Sequence, residues 1–451
     1  MLNTNRARQS GHRIGRAAIV VACGLTLGTA VLVEARPPRH GSYGDNYRGS
    51  YGGGYGGGFM QDRYGNRHGN LTPAGRARQH DHCQDDRFDR GRGVEVFAPP
   101  CPAPRGPGID LVLLLDASSS MDGLIDQAKQ QLWSVVCDLD CTSRGGERPV
   151  LRVAVYMYGN DYLSPRGGYI RQLVPLTTDL DAVSQALFSI RTQGGTEHCG
   201  QAIERATFEL DWARHPDSYR TIFIAGNEAF TQGPVHFQEA IDAAKHRGVV
   251  VNTVHCGDER TGYDDFWNRA AHFGGGTFFN INHQRAVPRV HCPQDDELVH
   301  LNGRLNDTYL WYGDDEHRRG YAGNQRRQDA NAAGFGPGVL AGRAAAKASD
   351  AYRAVGRDLV DSLRDDPGLL DRLPRDQLPE QLRSLDRQQQ RDFVRRMGDE
   401  RSRVQSEIER LSRQRERFLH DSGHDSADTF GDAMRRTVRD QVRAAGFAPR
   451  D

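Results

Sequence analysis

Asp116-Ala117-Ser118-Ser119-Ser120 is the segment whose residue types and spacing point most directly to chemistry. A carboxylate followed by hydroxyls at alternate positions presents one anionic and two neutral oxygens toward a common point, a donor set that suits a hard divalent cation such as Mg²⁺. The competing reading is structural: Asp116 and a serine would cap the helix that follows. Glu197 and His198, beside Thr196, are a second polar group. His198 could serve as a base near a metal-bound water, whereas Glu197 at the start of a helix opening near Gly200 is what the helix dipole favours without any chemistry. His255-Cys256 and His291-Cys292 offer soft-metal ligands, or else a disulfide or buried thiols at Cys256 and Cys292. No nucleophile elbow, phosphate-binding glycine loop or His-Glu-x-x-His motif is present.

The elements around these residues read as strands alternating with helices, the pattern of a parallel sheet with crossover helices. Ile109 to Leu115 is a continuous apolar run that fits a strand buried on both faces and ends directly at Asp116. Further strands are expected at Leu151 to Tyr158, Ile170 to Leu176, Thr221 to Ala225, Val249 to His255 and Gly276 to Ile281. Helical spacing appears at Gly123 to Val136, Leu180 to Ser189, Gly200 to Asp211, Phe237 to His246 and Tyr263 to Ala271. The expected fold class is α/β, a doubly wound, mostly parallel sheet flanked by helices. In such sheets ligands bind at the carboxyl ends of the strands, where Asp116 stands.

With these pieces in order, IDLVLLLDASSSMDGLIDQAKQQLWSVV resembles the opening strand and first helix of a von Willebrand factor A domain, and Asp-x-Ser-x-Ser resembles that family's metal-ion-dependent adhesion site. LRVAVYMYG is similar to the family's second strand, TQGGTEHCGQAIERA to its threonine loop and following helix, and FWNRAAHFGGGTFFNI to its closing helix, glycine turn and strand. The resemblance runs from about Asp110 to Ile281. It implies one Mg²⁺ (or Mn²⁺) held by Asp116, Ser118, Ser120 and Thr196, with a position open for a carboxylate from a partner protein. One departure matters: the family usually has an aspartate after the fourth strand, where this sequence has Asn227. An amide there removes a negative charge from the cation's surroundings unless Glu228 swings in.

At the N-terminus, Arg6, Arg8, Arg13 and Arg16 precede an apolar run from Ala17 to Val33, and Val33-Glu34-Ala35 offers a small-residue cleavage site. The expected outcome is export to the periplasm or cell envelope. An uncleaved anchor is the alternative, although the run is shorter than the ~20 residues of a typical span. Val20-Val21-Ala22-Cys23 also looks like a lipoprotein box. Export would expose Cys83, Cys101, Cys137, Cys141, Cys199, Cys256 and Cys292 to an oxidising compartment; Cys83 with Cys101, and Cys137 with Cys141, are plausible local bridges.

The expected organisation is a signal peptide (1–35), a low-complexity linker (36–107) rich in Gly, Tyr and Arg, the A domain (108–292), an irregular connector (293–343) and a helical or coiled-coil arm (344–451). In the arm, Met397, Val404, Leu411 and Phe418 recur every seven residues, with Arg401 and Arg415 interrupting the seam. Lys+Arg 59 against Asp+Glu 59 gives zero formal charge, which removes the global argument for a nucleic-acid partner. The function expected from all this is a binding module and not an enzyme: an exported protein that engages an acidic group on a partner protein through its metal. The alternatives are a metal-assisted hydrolase using Glu197 or His198, and a structural envelope protein with a vestigial site.

Overall fold

The computed structural model describes residues 101–422 and 429–449. The expected N-terminal targeting segment, the glycine- and tyrosine-rich stretch, and Cys83 of the expected Cys83–Cys101 pairing lie outside the described residues.

The first part of the fold runs β1 (Gly108–Asp116), α1 (Asp122–Asp140), β2 (Thr142–Ser143), β3 (Val150–Tyr158), β4 (Ile170–Thr177), α2 (Leu180–Ser189), α3 (Cys199–Glu209), β5 (Tyr219–Gly226), α4 (Phe237–His246), β6 (Val249–Cys256), α5 (Glu259–Asp264), α6 (Trp267–Phe273) and β7 (Gly275–Ile281). Six strands form one sheet in the order β4-β3-β1-β5-β6-β7, parallel except for the antiparallel β3–β4 pair. Every residue of β1 is buried because both faces are covered. Leu111, Leu113 and Leu115 enter one core with residues of α1 and α2, and Val112 and Leu114 enter a second core with residues of α3, α4 and α6. The chain leaves β1 for β3 on one side and later returns to β5 on the other. That reversal opens a crevice at the carboxyl end of β1. The expected helix at Tyr263 to Ala271 is split into α5 and α6 by Phe266, whose φ of 72° is incompatible with a continuous helix.

Residues 293–343, expected to be an irregular connector, are largely helical: α7 (Asp295–Asn306) and α8 (Asp315–Gly334) lie there, and α9 (Pro337–Ala348) begins there. The buried positions of α8 include Arg318, Gln325 and Gln328, so its packing is built on hydrogen bonds and leaves no apolar stripe to read. Gln328, for example, accepts from Ser184 of α2 at 2.9 Å. Beyond α9 come α10 (Leu359–Asp365), the one-turn helices α11 (Leu369–Arg372) and α12 (Glu380–Arg383), α13 (Arg387–Asp421), α14 (Phe430–Ala444) and β8 (Ala448–Pro449). After α9 the chain breaks at Ser349 and restarts at Asp358, whose side chain caps α10 by accepting from the Asp361 amide.

The helical region folds back on the sheet layer and is no free-standing arm. Leu298, Leu301, Val404, Ile408, Phe430, Met434 and Val438 share one core with α1 and β1, and β8 pairs with β2. α13 therefore packs on α7, α9 and α10 of the same chain, with the heptad positions Val404 and Leu411 buried and Phe418 left exposed. Arg401, read as an interruption of the seam, is 1% exposed. It is held by Asp358 at 2.7 Å, Asp361 at 3.1 Å and the Thr308 carbonyl at 2.7 Å, over the face of Tyr309. Arg415 pairs with buried Asp295 at 2.7 Å. The expected Cys137–Cys141 bridge is not formed, because both residues sit on the last turn of α1, where the Cys141 amide donates to the Cys137 carbonyl. Cys256 and Cys292 are buried thiols.

Candidate functional site

Asp116 is the last residue of β1 and has no solvent exposure. Its Oδ1 accepts from the Ser118 amide at 2.7 Å, which folds the chain back so that the Ser118 and Ser120 hydroxyls come within 3.3 Å of each other. Asp116 Oδ2 has no hydrogen-bond partner among the described residues. Asn227 lies just past β5 and places its Oδ1 3.4 Å from the Ser120 hydroxyl. Thr196 stands on the loop before α3 and is bridged through its backbone to Gly159, the residue after β3. Ser119, skipped by the alternate-position pattern, ties this loop down: its amide donates to the Gly194 carbonyl and its hydroxyl accepts from the Gly194 amide, both at 3.0 Å. Asp116, Ser118, Ser120, Asn227 and the Thr196 loop are thus gathered at the crevice from three connections.

The site is strongly anionic for its degree of burial. Desolvation pushes the Asp116 carboxyl up to about 7; hydrogen bonds from Ser118 oppose the shift and the charge of Glu228 adds to it. Glu197, 2% exposed, is also pushed up to about 7, first by desolvation and then by the charges of Asp116 and Glu228. Glu197 is therefore no solvated first-turn carboxylate of α3; it is buried beside Asp116, with its Oε2 unpartnered. Gly159 makes this approach possible: it has φ of 76°, and a Cβ there would lie 2.7 Å from Asp116 Oδ1 and 2.9 Å from Glu197 Cγ. Glu228 itself is exposed, and its backbone carbonyl accepts from the Trp267 indole at 2.8 Å.

The other candidates do not join this group. His198 is paired with Gln201 at 3.3 Å and packed edge-on to Tyr169. His255 is hydrogen-bonded to Asn280 at 2.7 Å, while His291 is exposed beside Asp295. Among the described residues no three His, Cys, Asp or Glu side chains converge as a metal cluster, so a soft-metal site at the His-Cys pairs has no geometric support. Sequence reading missed three contributors: Gly159, Ser119 as the loop tie, and His283. The His283 imidazole is buried near the backbone of Ser120 and Cys256, and desolvation lowers its pKa. None has a motif; each acts through placement alone.

The residues fit a hard divalent cation. Hydroxyl, amide and carboxylate oxygens surround an unpartnered buried carboxylate oxygen, an arrangement costly to leave uncompensated.

Comparison with known proteins identifies one domain of the chain. The von Willebrand factor type A domain model matches residues 110–279. No curated protein sequence matches the chain. Similar solved structures include the conserved hypothetical protein BatB from Bacteroides thetaiotaomicron, 19% identical, covering 39% of this chain and 90% of that one with a TM-score of 0.29. A von Willebrand factor type A protein from Catenulispora acidiphila is 16% identical and covers 39% of each chain, with a TM-score of 0.29. Proximal thread matrix protein 1 from the mussel byssus, with a zinc-occupied adhesion motif, is 13% identical and covers 39% of this chain and 42% of that one, with a TM-score of 0.27. Residues 110–279 of this chain, with the six-stranded sheet they contain, are a von Willebrand factor type A domain.

Proposed function

We propose that the protein is an exported binding module of the periplasm or cell envelope that engages an acidic side chain of a partner protein through a divalent cation. Domains of this family are generally adhesion or interaction modules and commonly hold a divalent metal. The observation that carries the reading is the buried, unpartnered Asp116 Oδ2 at the carboxyl end of β1, beside the paired hydroxyls of Ser118 and Ser120. Mg²⁺ or Mn²⁺ would be held by Asp116, Ser118, Ser120, Thr196 and Asn227. When bound, the cation supplies a positive centre for an incoming carboxylate. The chain's own part is to keep these oxygens convergent, which the ties from Ser119 to Gly194 and from Gln193 to Ala117 do.

The hydrolase alternative gains no support from His198, whose ring is engaged with Gln201 and Tyr169. Export rests on the N-terminal sequence. Among the described residues no helix is long and apolar enough to cross a membrane.

The test is capture of protein from an envelope extract on the immobilised full chain with Mg²⁺, followed by elution with a chelator. The expected result is a discrete species released by the chelator and absent when Asp116→Asn is the bait. Equal capture by both baits, insensitive to chelator, would contradict metal-mediated binding.

A further inference from the structure

We propose that Glu197 supplies the second carboxylate of the cation site, replacing the charge that Asn227 lacks. The inference rests on the metal-binding reading above and adds to it a ligand from a different loop. Three independent features of the structure support it.

First, Asp116 and Glu197 are both almost wholly buried, at 0% and 2% exposure, and each keeps one carboxylate oxygen without a hydrogen-bond partner. Among the described residues neither has an ion-pair partner; the charge of Glu228 raises the Asp116 carboxyl, and the charges of Asp116 and Glu228 raise that of Glu197. Among the described residues the other strongly buried aspartates have a cation: Asp110 has Arg152 at 2.8 Å, Asp358 has Arg401 at 2.7 Å, and Asp181 has Arg343 at 2.8 Å. Two buried carboxylates facing one another without a counter-charge are destabilising, and the arrangement is completed by a small cation of charge two.

Second, the backbone is shaped to bring the two together. Gly159 touches both, and its positive φ and missing Cβ leave the space that any side chain would fill. Its bridge to Thr196 holds the following residue, Glu197, over Asp116. The Ser118 side chain, whose hydroxyl pairs with Ser120 at 3.3 Å, acts to lower the pKa of both carboxyls, against the desolvation that raises them.

Third, the residues that sequence comparison would nominate do not provide the charge. Asn227 offers a neutral amide oxygen to Ser120. Glu228 is exposed. Two carboxylates with the hydroxyls of Ser118, Ser120 and Thr196 make an all-oxygen set of the kind that hard divalent ions take.

The experiment is titration calorimetry with Mn²⁺ and with Mg²⁺ on the full chain and four variants, with chelator-treated melting curves as the check on folding. Glu197→Gln, nearly isosteric, is expected to weaken both ions by about tenfold or more, the loss expected when one charged oxygen ligand is removed. Asn227→Ala is expected to change affinity by less than about threefold, since it removes only a neutral donor. Adding Asn227→Asp to Glu197→Gln should restore most of the lost affinity, because it returns a carboxylate beside the Ser120 hydroxyl. That rescue would not follow if Glu197→Gln had merely disturbed the fold. Unchanged affinity in Glu197→Gln, with affinity abolished in Asp116→Asn, would overturn the role of Glu197 and leave the metal site standing. Unchanged affinity in both variants would overturn the metal-binding reading itself.

Discussion

Arg401→Met is expected to lower the unfolding free energy by about 3–5 kcal/mol, the range for stripping one partner from a buried ion pair. The guanidinium lies between Asp358 and Asp361, themselves 0% and 4% exposed, and donates to the Thr308 carbonyl and hydroxyl. Methionine keeps much of the volume against Tyr309 but leaves two buried carboxylates facing each other with only the half-exposed Arg364, 3.9 Å from Asp361, as a nearby cation. Asp358 cannot turn away, because its oxygens also accept from the Leu310 amide at 2.6 Å and the Asp361 amide at 2.9 Å. Urea denaturation followed by circular dichroism measures the loss. A change below about 1 kcal/mol, as for an exposed pair, would mean that α13 is not anchored to the α10 junction through this residue.

The second large effect has the opposite sign. In chelator-treated protein near pH 8, Asp116→Asn is expected to be more stable than the parent chain by on the order of 3 kcal/mol. The Asp116 carboxyl is raised from its ordinary 3.8 to about 7 by desolvation, and each pKa unit corresponds to about 1.4 kcal/mol. Because the folded-state value lies above the unfolded one, the folded chain holds the extra proton between about pH 4 and 7. The stabilisation tied to that proton is fully present below the unfolded pKa and is lost as pH rises through about 7. Glu197, raised to about 7 by desolvation and by Asp116, acts in the same window and direction. The metal-free parent chain should therefore melt lower at pH 8 than at pH 5, and Asp116→Asn should flatten that slope. A melting temperature in the variant lower than in the parent at pH 8 would show that the Asp116 carboxylate is satisfied in the folded chain.

The centre of the sheet was legible because burial on both faces makes an inner strand a continuous apolar run, as at Leu111 to Leu115, and the six main strands lie where strands were expected. The position of Asp116 at a strand end was legible for the same reason: a charged residue closes the run. What lay outside the reach of pattern was polar packing. Gln325 and Gln328 bury a face of α8 through hydrogen bonds, so a helix looked like an irregular connector. Arg401 looked like a defect in a heptad seam because its partners, Asp358 and Asp361, are supplied by a segment some 40 residues earlier. Glu197 was read from its neighbours in sequence, as a helix-start carboxylate or a base, whereas its setting is decided by Gly159 and Asp116, which only the fold brings beside it.

The central claim is that Asp116 and the oxygens gathered around it hold a divalent cation. Titration calorimetry of Mg²⁺ into the full chain and into Asp116→Asn tests it most directly. The account predicts a single binding event in the parent chain that vanishes in the variant. Equal heats and equal affinity in the two proteins would contradict it and place the ion elsewhere.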